Sequence, residues 1–507
     1  MRGLLSLLLL CLVSAGALPG QDWRTAGYDA QRSSWIRADR KISTSSMVGP
    51  EFQLLWKMEF DNEPRQMSSM TAPILRDRLV GFRGFRSLGF FGTSSGRVYG
   101  VDTDLARLEW SKRLESGPPP ADASIACPGG MTANISRVTR FEFPPPNFGG
   151  RGRRTPAGSG VGTPKEGAVT LRPRTTTRPN TEAPEPSTRV RAPLGNPNSG
   201  LAIIYAVTSD GMLHPLHLSN GAIQVPAIPF LPANSHARGL IVIDNTAYVT
   251  TVNGCGGAPD GVWALDLETK EVNHWEAPSG NVVGISGASI GSDGTVYAAT
   301  TDGLIAFLDA ETLRQTGSYS PRGASFVTTP VVIDFNDSDY VVVGAEDGTV
   351  HISATNGSGA SYETTRSSPA TALASWIDDA GTPWVLASTD HEIVNWKVVE
   401  REGGEPILER GWSKQIEAPL PPLIVNGVIF TAASGESRDG NSATTRVRNS
   451  SSAVISALDG ATGEVLWESG DSINSFATGQ GLTAGNGTVY LSTFDGSLYS
   501  FGFPIEH

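Results

Sequence analysis

The sequence predicts an all-β protein, an eight-bladed β-propeller of four-stranded blades, and three observations carry that prediction. A phrase of strand, Asp-Gly turn and strand recurs along the chain. A second turn and a further strand follow it. A strand at the N-terminal end lacks a unit of its own, and the last unit at the C-terminal end lacks its final strand. Repeats at a regular period point to units that bury their faces only by stacking on neighbours.

The clearest unit is the last. Gly485 to Thr493 is a turn followed by an alternating β-branched and aromatic strand; Asp495-Gly496 turns the chain, and Ser497 to Phe501 returns it. Asp-Gly between alternating runs signals a hairpin, here expected as a type I′ turn. The phrase recurs at Asp210-Gly211, Asp302-Gly303 and Asp347-Gly348, at Ser95-Gly96, and in a longer form ending at Asp260-Gly261. The following turn and strand are best preserved from Ala457 to Trp467, with worn copies at Val101 to Trp110 and Ala264 to Trp275, and a related strand ending near Trp412. The tryptophans are expected to pack blade against blade. First strands are expected to begin near Thr71, Ser124, Ala237, Val283, Ser325, Ala370, Pro419 and Phe476, the sixth unit having degenerate turn residues around Asp390 and His391. Phe52 to Phe60 is expected to be the outer strand that completes the C-terminal blade, so closing the ring and hiding a free edge.

Two segments stand outside the repeat. Residues 1–17 form a secretory signal: Arg2, an apolar core from Leu4 to Val13, and the cleavage site Ala15-Gly16-Ala17. Residues 18–507 then form a single propeller domain, interrupted by 143–199, which is rich in Pro, Arg, Thr and Gly and has no aromatic residue after Phe148. Such a stretch cannot bury enough apolar surface to order itself, and is expected to be a disordered insertion between the first two strands of the second blade. The chain carries a formal net charge of -12, which disfavours nucleic acid and anionic membrane surfaces as partners. No later stretch is apolar enough to span a membrane. The expected product is an exported monomer, periplasmic or extracellular.

Export leaves two cysteines, Cys127 and Cys255, each in a glycine-rich loop. Connections from fourth to first strand and from second to third open on one face of a propeller. A disulfide is therefore expected there, two free thiols being too few for a usual metal site. Gly129, Gly130, Asn253, Gly254, Gly256, Gly257 and Asp260 mark this corner as the candidate ligand-facing rim. Asp334, Asn336 and Asp339 resemble a shortened calcium loop, with a polar turn as the competing reading. The G-x-S-x-G matches at Gly92 to Gly96 and Gly287 to Gly291 lack the strand–turn–helix setting of a nucleophile elbow. His214 and His217 are three apart on a strand and point to opposite faces. No catalytic residue is assigned.

Ser456 to Trp467 with Gly487 to Phe501 resembles the pyrroloquinoline-quinone-like repeat. The opening Asp22-Trp23-Arg24-Thr25-Ala26-Gly27-Tyr28-Asp29, with Arg32-Ser33-Ser34, looks like the start of exported proteins of that superfamily. The resemblance implies the propeller fold. The superfamily holds quinone-dependent dehydrogenases, outer-membrane assembly factors and non-catalytic propellers, so it does not select a function. Its enzymes bind the quinone and calcium on the axis, beside a disulfide of adjacent cysteines, and this chain has neither adjacent cysteines nor a C-x-x-C-H haem motif. The favoured expectation is a non-catalytic binding or scaffold protein for a protein, glycan or small ligand. The alternative is a divergent quinone-dependent oxidoreductase of alcohols or sugars, with pyrroloquinoline quinone and calcium.

Overall fold

The computed structural model describes residues 22–81, 84–114, 116–117, 120–139, 202–223, 225–355, 368–402, 404–479 and 481–504. The signal segment and the 143–199 insertion lie outside these residues. The chain divides into two compact units, Met1–Phe141 with Leu201–His507, and Glu142–Gly200. The description below concerns the first.

Strands dominate it, with one short α-helix, Ala443–Asn449. β1 (Trp35–Ile36) and β2 (Gln53–Glu59) come first. β3 (Ile74–Gly81), β4 (Gly84–Gly92), β5 (Arg97–Asp102) and β6 (Arg107–Arg113) form one antiparallel sheet. β7 (Ser136–Thr139), β8 (Ile203–Val207), β9 (Met212–His217) and β10 (Ile228–Pro229) follow, then β11 (His236–Ile243), β12 (Thr246–Val252), β13 (Gly261–Asp266) and β14 (Val272–Glu276). These two sets merge through a short parallel contact of β7 with β11. β15 (Ser289–Ile290) to β18 (Gln315–Tyr319), through β16 (Val296–Ala299) and β17 (Ile305–Leu308), make the next sheet, and β19 (Val331–Phe335), β20 (Ser338–Gly344) and β21 (Val350–Ala354) a three-stranded one. β22 (Ala372–Ile377), β23 (Pro383–Ser388), β24 (Glu392–Glu400) and β25 (Pro406–Gln415) are next, so four strands do form around the degenerate turn at Asp390 and His391. β26 (Leu423–Val425), β27 (Val428–Ala433), β28 (Val454–Asp459) and β29 (Val465–Glu468) take β1 as a fifth strand. β30 (Leu482–Gly485), β31 (Thr488–Ser492) and β32 (Ser497–Gly502) are last, and β2 pairs antiparallel with β32, Lys57 opposite Tyr499.

First strands mostly begin later than the sequence suggests, at Ile74 rather than Thr71, and at Leu482 rather than Phe476. Isolated bridges such as Phe326 to Ala345 and Pro419 to Ala433 touch the second strand before the ladder starts. The largest displacement is in the second set. Its first described strand begins at Ser136, so Ser124 and Cys127 belong to a long connection instead.

The turns divide into kinds with distinct chemistry. At the Asp-Gly turns only the glycine has positive φ, 85° at Gly496, 79° at Gly303 and 84° at Gly348. The expected type I′ geometry is therefore not formed there. Each is a type I turn whose last residue is left-handed, and Thr493 supports it by donating from Oγ1 to Asp495 Oδ1 at 2.6 Å. Type I′ turns occur between first and second strands, at Asn336-Asp337, Asn426-Gly427 and Asn486-Gly487, where both residues have positive φ. Between third and fourth strands an aspartate opens the turn. Asp459 Oδ1 accepts from the backbone N–H of Ala461 and Thr462, both at 2.9 Å. Asp102, Asp266 and Asp309 repeat the pattern. His217 Nδ1 takes that position after β9, accepting from Ser219.

Four tryptophans among the described residues donate across from one sheet to another, three of them to a carbonyl in a turn. Trp110 Nε1 on β6 donates to Leu218 O at 2.8 Å, beyond β9, and Trp412 on β25 to Gly460 O at 3.0 Å, beyond β28. Trp275 on β14 donates to Gln315 Oε1 at 3.3 Å. Trp56 on β2 donates to Thr103 O at 3.1 Å, in the turn between β5 and β6. The ring lies on the turn's left-handed glycine: a Cβ on Gly463 would sit 2.5 Å from the Trp412 ring.

The N-terminal segment runs along the first strands. Trp23 O accepts from Leu75 N on β3 and Arg24 O from Arg137 N on β7, while Thr25 Oγ1 donates to Leu240 O on β11. Ala30 O, Gln31 O, Ser33 O and Ser34 O accept from Ile290, Val332, Ser375 and Ile424, on β15, β19, β22 and β26. Asp39 Oδ2 accepts from Gly487 N at 2.8 Å, next to β30.

Candidate functional site

Two places concentrate candidate chemistry: the disulfide corner and a cavity beside the first strands. Cys127 lies between β6 and β7, Cys255 between β12 and β13, and their sulfurs are bonded, with Cα atoms 5.5 Å apart. Loops distant in sequence thus share one corner. Ala126 O is its hub, accepting from Asn253 Nδ2 at 3.0 Å and from His236 Nδ1 at 2.6 Å. Arg238 Nε donates to His236 Nε2 at 3.4 Å. Burial, reinforced by the Arg238 charge, pushes the His236 imidazole down to about 4, so it is neutral at physiological pH.

The rim candidates are brought together here, and several are occupied by the chain itself. Asp260 accepts from Asn253 N at 2.9 Å and Gly254 N at 2.7 Å, so its carboxylate holds the loop. A Cβ on Gly130 would lie 2.2 Å from Ser94 O, and one on Gly256 2.0 Å from Ala233 O. Glycine at both positions lets backbone approach backbone. Gly254 and Gly257 have positive φ and face open space, and Gly129 lies against Pro120.

Asp334 and Asp339 are opposite residues of the β19–β20 hairpin, and Asn336 is in its two-residue turn. Asp339 Oδ2 accepts from Ser292 N at 2.6 Å. Burial and the neighbouring Asp339 and Asp337 carboxylates hold the Asp334 carboxyl above its ordinary value. Among the described residues no group of three or more His, Cys, Asp or Glu side chains is placed to hold a metal. His214 is buried on β9 with Thr208 Oγ1 3.0 Å from its Nε2, apart from the turn role of His217.

The cavity was not singled out by sequence reasoning. It is a small recess of about 20 Å³, room for about one water molecule, lined by the entrances to β3, β7, β15, β26 and β30, with Trp23, Thr25, Ala26, Gly27 and Ser34 of the N-terminal segment beside them. Pro73, Pro421 and Pro422 supply apolar wall; Asn134, Ser286 and Thr483 supply polar groups. Asn134 and Thr483 are 3% and 2% exposed, and Asn134 Oδ1 and Thr483 Oγ1 have no hydrogen-bond partner. Among the described residues that line it none is ionisable. Arg32, buried in the same N-terminal segment, has its guanidinium committed to Ala288 O, Ala26 O, Gly239 O and Thr25 Oγ1. Burial pushes it down to about 10, and it stays charged at neutral pH.

Pyrroloquinoline quinone carries carboxylates and acts with a divalent cation, and needs counter-charges, metal-ligating oxygens and a base converging on one point. A lining of Pro, Gly, Ala, Ile, Leu, Thr, Ser, Asn and Trp residues offers none of the charged groups. The residues present do not fit that cofactor.

No family model and no curated protein matches the chain. Solved structures do. BamB from Moraxella catarrhalis is 14% identical with a TM-score of 0.50, over 90% of this chain and 99% of that one. Quinohemoprotein alcohol dehydrogenase from Comamonas testosteroni is 13% identical with a TM-score of 0.54, over 97% and 82%. Quinohemoprotein alcohol dehydrogenase ADHIIG from Pseudomonas putida HK5 is 9% identical with a TM-score of 0.56, over 96% and 82%. At such identities the likeness is one of fold. The chain shares the β-propeller fold of these structures.

Proposed function

We propose that the chain is an exported, non-catalytic β-propeller that presents its disulfide face to a protein, glycan or small ligand. Its ring is read as eight four-stranded blades, with β2 as the outer strand of the C-terminal blade. The β2–β32 pairing supports that closure, as does Trp56, which reaches the first blade's turn as Trp110 and Trp412 reach theirs. Gly129, Gly130, Asn253, Gly254, Gly256, Gly257 and Asp260 form the shaped rim, with open backbone at Gly254 and Gly257. Asp334 and Asp339 are read as hairpin residues.

The observation that carries the non-catalytic reading is the uncharged lining of the inner cavity. The second reading, a quinone-dependent oxidoreductase, is favoured by the fold likeness to alcohol dehydrogenases. The test is dye-linked oxidation of alcohols and sugars by the purified protein with added quinone and calcium. The expected rate is that of the protein-free blank. Calcium-dependent turnover lost on a single substitution in the cavity lining would establish the second reading instead.

A further inference from the structure

The N-terminal segment has a property that no other part of the described chain shares. It hydrogen-bonds, in order, to the first strand of each successive strand set from β3 to β26, and then to Gly487 beside β30. Its partners ascend in the sequence as it does: Leu75, Arg137, Leu240, Ile290, Val332, Ser375, Ile424 and Gly487. Most of these bonds join main chain to main chain, the mode by which an extended peptide is held along exposed strand edges. Trp35 and Ile36 then add a short parallel pairing to Ile424 and Val425.

The first end and the middle are anchored by charged side chains, the far end by hydrogen bonds of the Asp39 main chain. Asp22 accepts from Arg76 Nη1 at 2.6 Å and Arg137 Nη1 at 2.9 Å. At the other end Asp39 and Asn426 exchange hydrogen bonds at 2.6 and 3.2 Å. In the middle Arg32, 2% exposed, bonds carbonyls of two different strand sets, Gly239 on β11 and Ala288 before β15. It also closes the segment on itself through Ala26 O and Thr25 Oγ1.

We propose that the inward edges of the first strands form a peptide-binding groove whose occupant is the chain's own residues 22–41, and that this segment is a separable latch that locks the repeats into one cooperative body. A repeat array without such an element is held only by contacts between neighbours. A single segment bonded to all of its members makes the opening of any one of them a disturbance to the rest. Arg32 is the keystone, since its one buried side chain ties the middle of the latch to two strand sets and also closes the segment on itself. The latch goes beyond the binding role proposed for the disulfide face and does not depend on it.

The test uses the full chain with a protease site placed in the exposed link at Val48 to Glu51, before β2, so that β2 stays with the ring and outer-strand closure is untouched. After cleavage the severed piece should co-elute with the ring, and the melting temperature should rise with protein concentration, as it does for any bound ligand. A synthetic peptide of residues 22–42 in excess should exchange into the ring. Arg32→Ala should speed loss of the severed piece by at least about tenfold, given the charged hydrogen bonds removed. Should that variant fail to fold, Thr25→Val, which deletes the bonds to Leu240, Arg32 and Asn134, should show the same direction. The inference is overturned if the wild-type piece separates while the remainder keeps the melting temperature of the uncut protein, or if the variant pieces are retained as long as the wild-type one.

Discussion

Individual residues in this protein owe their roles to the backbone groups they satisfy. Asp260 was a candidate for ligand contact, and the structure spends both of its oxygens on Asn253 and Gly254. Asp260→Ala should therefore cost about 0.5–1.5 kcal/mol in chemical denaturation, the net worth of hydrogen bonds to loop donors that water can reach. His236 gives a pH signature. Its folded-state value is pushed down to about 4 while the ordinary histidine value is 6.5, so the unfolded chain binds the proton more readily between those limits. The stability that neutral His236 contributes is complete above about pH 6.5 and is lost as pH falls toward 4. Replacing it by Gln should flatten the stability–pH profile in that window relative to wild type; an unchanged slope would show that His236 is not buried as described. The Cys127–Cys255 bond was legible in the sequence because an expected export signal, an even count and two loops expected on one face all pointed to it. The cavity residues Asn134 and Thr483 were not, because nothing local marks a Ser, Thr or Asn whose neighbours come from strands hundreds of residues away.

At the scale of elements, the strand–turn–strand phrase was readable because side-chain alternation and turn chemistry are both local. Turn type was not. Asp-Gly was expected to form type I′ turns, yet the asparagine turns at Asn426-Gly427 and Asn486-Gly487 take that geometry, and the Asp-Gly turns take a type I turn with one left-handed glycine. Both sequences tolerate positive φ; Thr493 braces its aspartate, but Asp347-Gly348 takes the same turn after Ala345, so the threonine is not required. Strand starts were misplaced where a connection touches its neighbour in one isolated bridge before the ladder begins. The tryptophan contacts give a test of how β2 is used. Trp412→Phe should cost about 0.5–1.5 kcal/mol, the net worth of one hydrogen bond, since Gly460 O keeps its bond from Asn395 Nδ2. If β2 is an outer strand like the others, Trp56→Phe should cost a comparable amount. A negligible effect at Trp56 beside a clear one at Trp412 would argue against that role.

For the whole molecule, the fold followed from repetition and the function did not. Repeats report what each unit needs for stacking, and those needs are common to enzymes and non-enzymes on this fold. What separates them is the chemistry that converges where the first strands meet. Here that place holds the N-terminal segment, prolines, glycines and uncharged polar groups. The measurement that tests this most directly is equilibrium binding of pyrroloquinoline quinone to the purified full chain in calcium-containing buffer, followed by quinone absorbance after dialysis. The account predicts no retained quinone above the protein-free control. Stoichiometric, calcium-dependent retention, lost when Asn134 or Thr483 is enlarged to fill the cavity, would contradict it.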